Sequence, residues 1–251
     1  MSPPTMRDQA LLGASAGGAV AIPPDEVSDL YAWYDATDAT TITESSGRVS
    51  KWENKEGTTA RDLVATTLDG VTTAPLLLSA DQNGKDVIDF ATVGSDEYRF
   101  MKTSTMQSDV DQPISFVMVL EMAANDSISR DLLQGWQNGS YFPIFNKNST
   151  DDSFHSSMGT SLGFTETGIA GTWQYMTLIM NTTASKIRIG GVEKASGNVG
   201  TSVAFPLRVG VSWNDDAPWS AKIMHIAFFS KLLSESEIEG LEVWAAAEGG
   251  L

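Results

Sequence analysis

Aromatic rings, acids and two histidines carry whatever chemistry this chain can do. Three tryptophans stand beside amides and acids: Trp136 in QGWQNGSYF, and Trp213 and Trp219 in SWNDDAPWS. Such a ring offers its face to the CH side of a sugar while neighbouring polar groups take the hydroxyls. The same rings could instead cover a loop or face a neighbouring subunit. Trp33, Trp52, Trp173 and Trp244 stand in stretches that read as core or turn packing. Two adjacent aspartate pairs, Asp151-Asp152 in NSTDDSF and Asp215-Asp216 in SWNDDAPWS, offer hard oxygen ligands in loops, which suits calcium. Adjacent loop aspartates equally serve as turn residues. No cofactor is expected beyond that ion.

His155, in DDSFHSSMG, and His225, in KIMHIAFF, lie in no nucleophile-elbow or metal-helix pattern. Ser-His-Asp hydrolysis and a histidine zinc site are therefore not expected. Alternation along KIMHIAFF places Met224, Ile226 and Phe228 on the core face and His225 on the other. The chain has no cysteine, which removes disulfides, thiolate metal sites and cysteine nucleophiles. GASAGG is neither a phosphate loop nor a dinucleotide fingerprint. The sequons at Asn125, Asn138, Asn148 and Asn181 are expected by chance in a chain so rich in Ser and Thr. With 32 acidic against 16 basic residues the formal charge is −16. A surface of that sign repels nucleic-acid phosphates, so no nucleic-acid partner is expected.

The elements that must position these groups are short strands. ISFVMVLEM is apolar on both faces and reads as a central strand covered on each side. WQYMTLIMN, PLRVGV and AKIMHIAFF are further strands, and SKIRIGG alternates as a half-buried one. Asn83-Gly84 marks a type I′ hairpin, whose two central residues need positive φ. One helix closes the chain: Ser234 and Glu237 form a capping box, and Ile238, Leu241 and Trp244 make one apolar stripe. The acid-rich string SESEIEGLE is explained by that cap and a solvated face. In LYAWYDATDATTIT, Trp33 belongs to the first strand, while Asp35 and Asp38 take its end and the following turn. Residues 1–26 are rich in Pro, Gly and Ala without periodicity and form an extended arm; residues 27–251 form one β-sandwich. No apolar run reaches the length of a membrane span, and the arm is a poor signal peptide.

Three stretches together carry a family resemblance. Leu30, Trp33 and Ala36, followed by Val49, Trp52, Asn54 and Gly57, resemble the opening of concanavalin A-like, laminin-G-like jelly rolls. NGKDVIDF is similar to that family's Asn-Gly-Lys hairpin and the strand after it, here ending in Phe90. WSAKIMHIAFFSKLLSESEIEGLEVW resembles the closing strand, its Leu-Ser turn and the terminal helix. A second hairpin of the family often carries Asn-Gly where this chain has Gly190-Gly191. The resemblance implies an all-β jelly-roll sandwich with a short C-terminal helix. Glucanases of this fold carry Glu-x-Asp-x-x-Glu or Glu-x-Asp-x-Glu on a strand, and its lyases pair Gln-x-His with a Tyr; neither pattern is present. A non-enzymatic protein is therefore expected, with no catalytic residues assigned.

This form of the sandwich also resembles domains of tailed-phage virion proteins, which often carry a Met-Ser-Pro arm. The resemblance implies a structural virion component, a capsid decoration, head fibre or tail part assembled in the host cytoplasm and exposed on the particle. In that reading Pro3, Pro4, Leu11, Leu12, Pro23 and Pro24 contact other virion proteins, and the sandwich could form a homo-oligomer. The alternatives are a carbohydrate-binding module for host or environmental polysaccharide and a glycan-cleaving enzyme.

Overall fold

The computed structural model describes residues 18–68, 71–91, 99–103, 110–122, 130–137, 140–147, 153–202, 206–210 and 220–251. The strands are β1 Leu30–Asp35, β2 Ile42–Ser45, β3 Arg48–Trp52, β4 Leu63–Ala65, β5 Thr67–Leu68, β6 Val71–Thr72, β7 Leu76–Gln82, β8 Lys85–Asp89, β9 Met101–Thr103 and β10 Ile114–Met122. They continue as β11 Arg130–Gln137, β12 Ser140–Lys147, β13 Ser153–Ser157, β14 Ser161–Thr165, β15 Trp173–Met180, β16 Ser185–Ile189, β17 Val192–Gly197, β18 Arg208–Val209 and β19 Ala221–Phe229. Among the described residues one α-helix, α1, spans Glu235–Gly249.

Antiparallel pairing arranges the strands in two layers. The first runs β17–β16–β15–β10–β19, and the far edge of β19 takes β1 along residues 225–229 and β8 along residues 222–223. The second runs β14–β13–β12–β11–β18–β9–β4–β3–β2. Pairing of β8 with β7, and of Leu76 with Arg48, joins the layers at one side. Phe116, Met118, Leu120, Ile226 and Phe228 from the first layer meet Leu133, Phe145, Phe154 and Val209 from the second in one buried core. Phe116 and Phe228 stack with centroids 4.5 Å apart. The chain thus adopts the expected jelly-roll sandwich with a short terminal helix.

The outer face of the first layer is covered too. Val117 and Val119 of β10 point away from the main core into a second cluster with Ile238, Leu241, Trp244 and Ala245 of α1. That is why ISFVMVLEM is apolar on both faces. The helix starts at a complete capping box between Ser234 and Glu237, and its last carbonyls meet the Asn-Gly hairpin. Asn83 and Gly84 have φ of 51° and 70°, as a type I′ turn requires.

The expectation for Met224 is corrected. Val119 pairs with His225 and Leu120 with Ile223, so Met224 is an extra residue in β19. This bulge breaks the alternation and turns Met224 to the helix side, away from Ile226 and Phe228. His225 lies on the face away from that core, as expected, but α1 closes that side and the ring is 1% exposed.

Residues 18–26 of the leading segment lie on the chain's own sandwich. The Ile22 amide donates to the Gly240 carbonyl at 3.0 Å, and a Cβ at Gly240 would stand 2.5 Å from the Ile22 side chain. Pro24 is buried and opens a 3-10 turn over Pro24–Glu26, with Pro23 as its N-cap. Pro3, Pro4, Leu11 and Leu12 lie outside the described residues. Among the described residues no helix is long and apolar enough to cross a membrane.

Candidate functional site

The outer face of the second layer carries a continuous polar row. Register places Lys102 opposite Arg208, and Arg208 opposite Gln134. Asp131 faces Asn146, Asn146 faces His155, and His155 faces Gly163. Side chains directly opposite each other share a face, and the alternate residues Met101, Val209, Phe145 and Phe154 fill the core, so the row points outward. The glycine opposite His155 is required: a Cβ there would stand 2.3 Å from Nδ1. His155 is held by two serines, with Nδ1 3.1 Å from Ser161 Oγ and Nε2 3.0 Å from Ser153 Oγ.

Asp131 is the centre of the row. It is buried, and Gln134 Nε2 donates to its Oδ2 at 2.5 Å while the Asn146 amide also donates to the carboxylate. Burial outweighs those bonds and raises the carboxyl to about 6. Because both amides turn their NH2 groups to Asp131, Gln134 Oε1 and Asn146 Oδ1 are left buried with no donor among the described residues. A buried amide oxygen without a donor is costly, and Gln134 as a whole is only 1% exposed. Arg208 and Lys102 extend the row with cations that also donate. Among the described residues, no second carboxylate is one of the groups that set the Asp131 acidity.

On the opposite layer the opening motif has a structural role. Asn54 is buried; its Oδ1 accepts from the Trp33 amide at 2.8 Å and the Glu56 amide at 3.3 Å. Asp35 and Asp38 bond backbone amides of Thr37 and Thr40, as Asp in turns is expected to. Asp35 also takes Lys55 at 3.0 Å, and Lys55 sits 4.1 Å above the Trp33 ring. His225 bonds Glu248 through Nε2 at 3.2 Å. Its Nδ1 lies 3.3 Å from Asp35 Oδ1 without hydrogen-bond geometry. Glu248 completes the chain with Lys85, and the His225 bond is the main reason its carboxyl falls to about 2. Closed beneath α1, with Trp33 and Trp244 rings 5.9 Å apart beside it, this cluster fastens the helix end to β1 and β8.

The residues singled out as sugar platforms and calcium ligands fall mostly beyond this description. Trp213, Trp219, Asp215, Asp216, Asp151 and Asp152 lie outside the described residues. Trp136 is placed by its backbone on β11, paired with Tyr141. Gly210, after β18, donates its amide to the Leu132 carbonyl nearer the start of β11. Among the described residues no group of three or more His, Cys, Asp or Glu could hold a metal ion. Sequence reasoning missed Asp131, Gln134 and Asn146. Their signal was weak, since each is a polar residue in a strand whose register is broken by bulges between Asp131 and Gln134.

Residues 94–239 match the family described as the concanavalin A-like lectin/glucanases superfamily. The match takes in more than half of the chain, and the chain belongs to that family. Trypanosoma rangeli sialidase in complex with sialic acid has a similar structure over 96% of this chain and 37% of its own, with a TM-score of 0.54 and 11% identity. The ligand binding domain of botulinum neurotoxin serotype D in complex with N-acetylneuraminic acid is similar over 86% of this chain and 50% of its own, with a TM-score of 0.55 and 12% identity. At such identities the likeness is one of fold, a lectin-like jelly roll found in an enzyme and in a binding domain alike. The chain spans about half of the toxin domain and little more than a third of the sialidase. No curated protein matches the sequence.

Proposed function

We propose that this chain is a non-catalytic carbohydrate-binding sandwich displayed on a virion, with its glycan on the outer face of the second layer. The observation that carries the reading is the outward row in which the partly exposed Lys102, Arg208 and His155 surround the largely buried Asp131–Gln134–Asn146 group. Sugar hydroxyls donate and accept at close spacing, which is what such a row offers. Sialic-acid complexes among the structural neighbours support carbohydrate as the ligand class. A glycosidase reading draws on Asp131, whose carboxyl near 6 suits a general acid. Two-carboxylate hydrolysis needs a partner acid within about 5–9.5 Å, which favours binding over cleavage.

A glycan array with the full chain tests the reading. Saturable binding that falls at least about tenfold in a His155→Ala, Arg208→Gln double variant of unchanged circular dichroism is expected. Silence across the array, or release of reducing ends from a bound polysaccharide, would contradict it. The Trp219→Ala variant reports whether the 211–219 segment adds a stacking platform, and calcium there would appear as a melting temperature lowered by EDTA. The virion role rests on the resemblance of the arm and sandwich to tailed-phage virion domains. In this proposal residues 1–17 engage capsid or tail proteins; normal incorporation of a chain lacking them would refute that anchoring.

A further inference from the structure

A groove of about 590 Å³ opens beside α1, on the layer opposite the polar row, and we infer that it binds a neutral sugar unit independently of that row. Its floor is an Arg188–Glu242 fork, with Nε–Oε1 at 2.8 Å and Nη2–Oε2 at 2.9 Å. Nη2 also donates to the Gly191 carbonyl at 2.8 Å. Glu242 is only 6% exposed, so the fork is a fixed part of the wall. Arg188 Nη1 and the Tyr175 hydroxyl, both at the groove, have no hydrogen-bond partner among the described residues.

Space at this point is kept by glycine. Gly191 has φ +77°, and a Cβ on it would stand 3.1 Å from the Tyr175 hydroxyl and 3.6 Å from Glu242 Oε2. The remaining walls are small and apolar: Val243, Ala246 and Ala247 of α1, with Ala19 and Leu251 beyond. Val243 is 39% exposed. One side of the groove therefore offers a ledge for CH groups, and the other offers a phenol, a guanidinium N–H and the Glu239 carboxylate. That combination matches a sugar ring, whose hydroxyls line one edge and whose CH groups form a face. Charge selects among sugars. Arg188 is neutralised by Glu242, and Glu239 leaves the groove net negative on a chain of formal charge −16. An anionic sugar is repelled here, whereas the cation-bearing row on the other layer accepts one. Two sites on opposite faces would let one chain bridge two glycans.

The test is an amide NMR titration of the full chain with methyl glucoside, methyl galactoside and N-acetylneuraminic acid. At least one neutral glycoside is expected to shift Gly191, Val243 and Ala246 saturably, with millimolar affinity and without moving His155 or Gly163. N-acetylneuraminic acid is expected to leave the groove amides unmoved. Tyr175→Phe, which removes only the hydroxyl, should weaken the neutral sugar at least threefold, and Val243→Glu should abolish its shifts. Absence of shifts in the groove with both glycosides would overturn the inference. Equal shifts with N-acetylneuraminic acid, or undiminished binding in both variants, would overturn it as well. Failure of the polar row on the array leaves these resonances to report separately.

Discussion

Asn54 and Asp131 illustrate how single polar groups decide local structure in opposite ways. Asn54 satisfies two backbone amides inside the first turn of the fold. Asn54→Ala orphans the buried Trp33 amide and is expected to cost about 2–3 kcal/mol in urea unfolding. A loss below the uncertainty of extrapolation would contradict that role. Asp131 is instead held against its charge: its carboxyl is raised from 3.8 to about 6 by burial. A raised acid favours the folded state most when protonated, so its contribution is full below about pH 3.8 and is lost as pH rises through about 6. Carboxyl carbon NMR should give an Asp131 midpoint near 6 that moves when the array's best glycan binds. A midpoint near the ordinary value would mean that water reaches the row freely.

At the scale of elements, the helix depends on the hairpin that receives it. Asn83 Nδ2 donates to the carbonyls of Ala247 and Glu248 at 3.3 and 3.2 Å, and Gln82 Nε2 donates to that of Gly249 at 2.6 Å. Lys85 and His225 meet Glu248, whose carboxyl falls from 4.5 to about 2. A depressed acid stabilises above its unfolded value and loses that contribution as pH falls through the folded one. Glu248→Gln should therefore melt lower than the parent at neutral pH, with the gap closing between about pH 4.5 and pH 2. A gap independent of pH would separate Glu248 from this cluster. Much of this scale was legible in sequence: NGK, the capping box and the two-faced ISFVMVLEM each carry a local physical signal. The bulge at Met224 was not, because an extra residue in β19 is set by its pairing with β10 rather than by residue type. The outward row was also hidden, since its members are brought together from five strands by register alone.

For the whole molecule, the two layers divide the work. The first is closed on its outer face by α1, by Ile22 from the leading segment and by Val27; the second presents polar groups outward. A chain lacking residues 1–17 is the reference for the segment from 18 to 26. Removing residues 1–26 uncovers Gly240 and Val27 and should cost about 1–3 kcal/mol, read by calorimetry. Equal stability of the two truncations would mean that the segment from 18 to 26 adds nothing to the fold. The most direct test of the glycan face is a crystal structure of the full chain with the strongest array ligand. Sugar hydroxyls within hydrogen-bond distance of Lys102, Arg208 or His155, over the Asp131–Gln134–Asn146 group, are expected. A ligand bound away from these groups would contradict the assignment of that face.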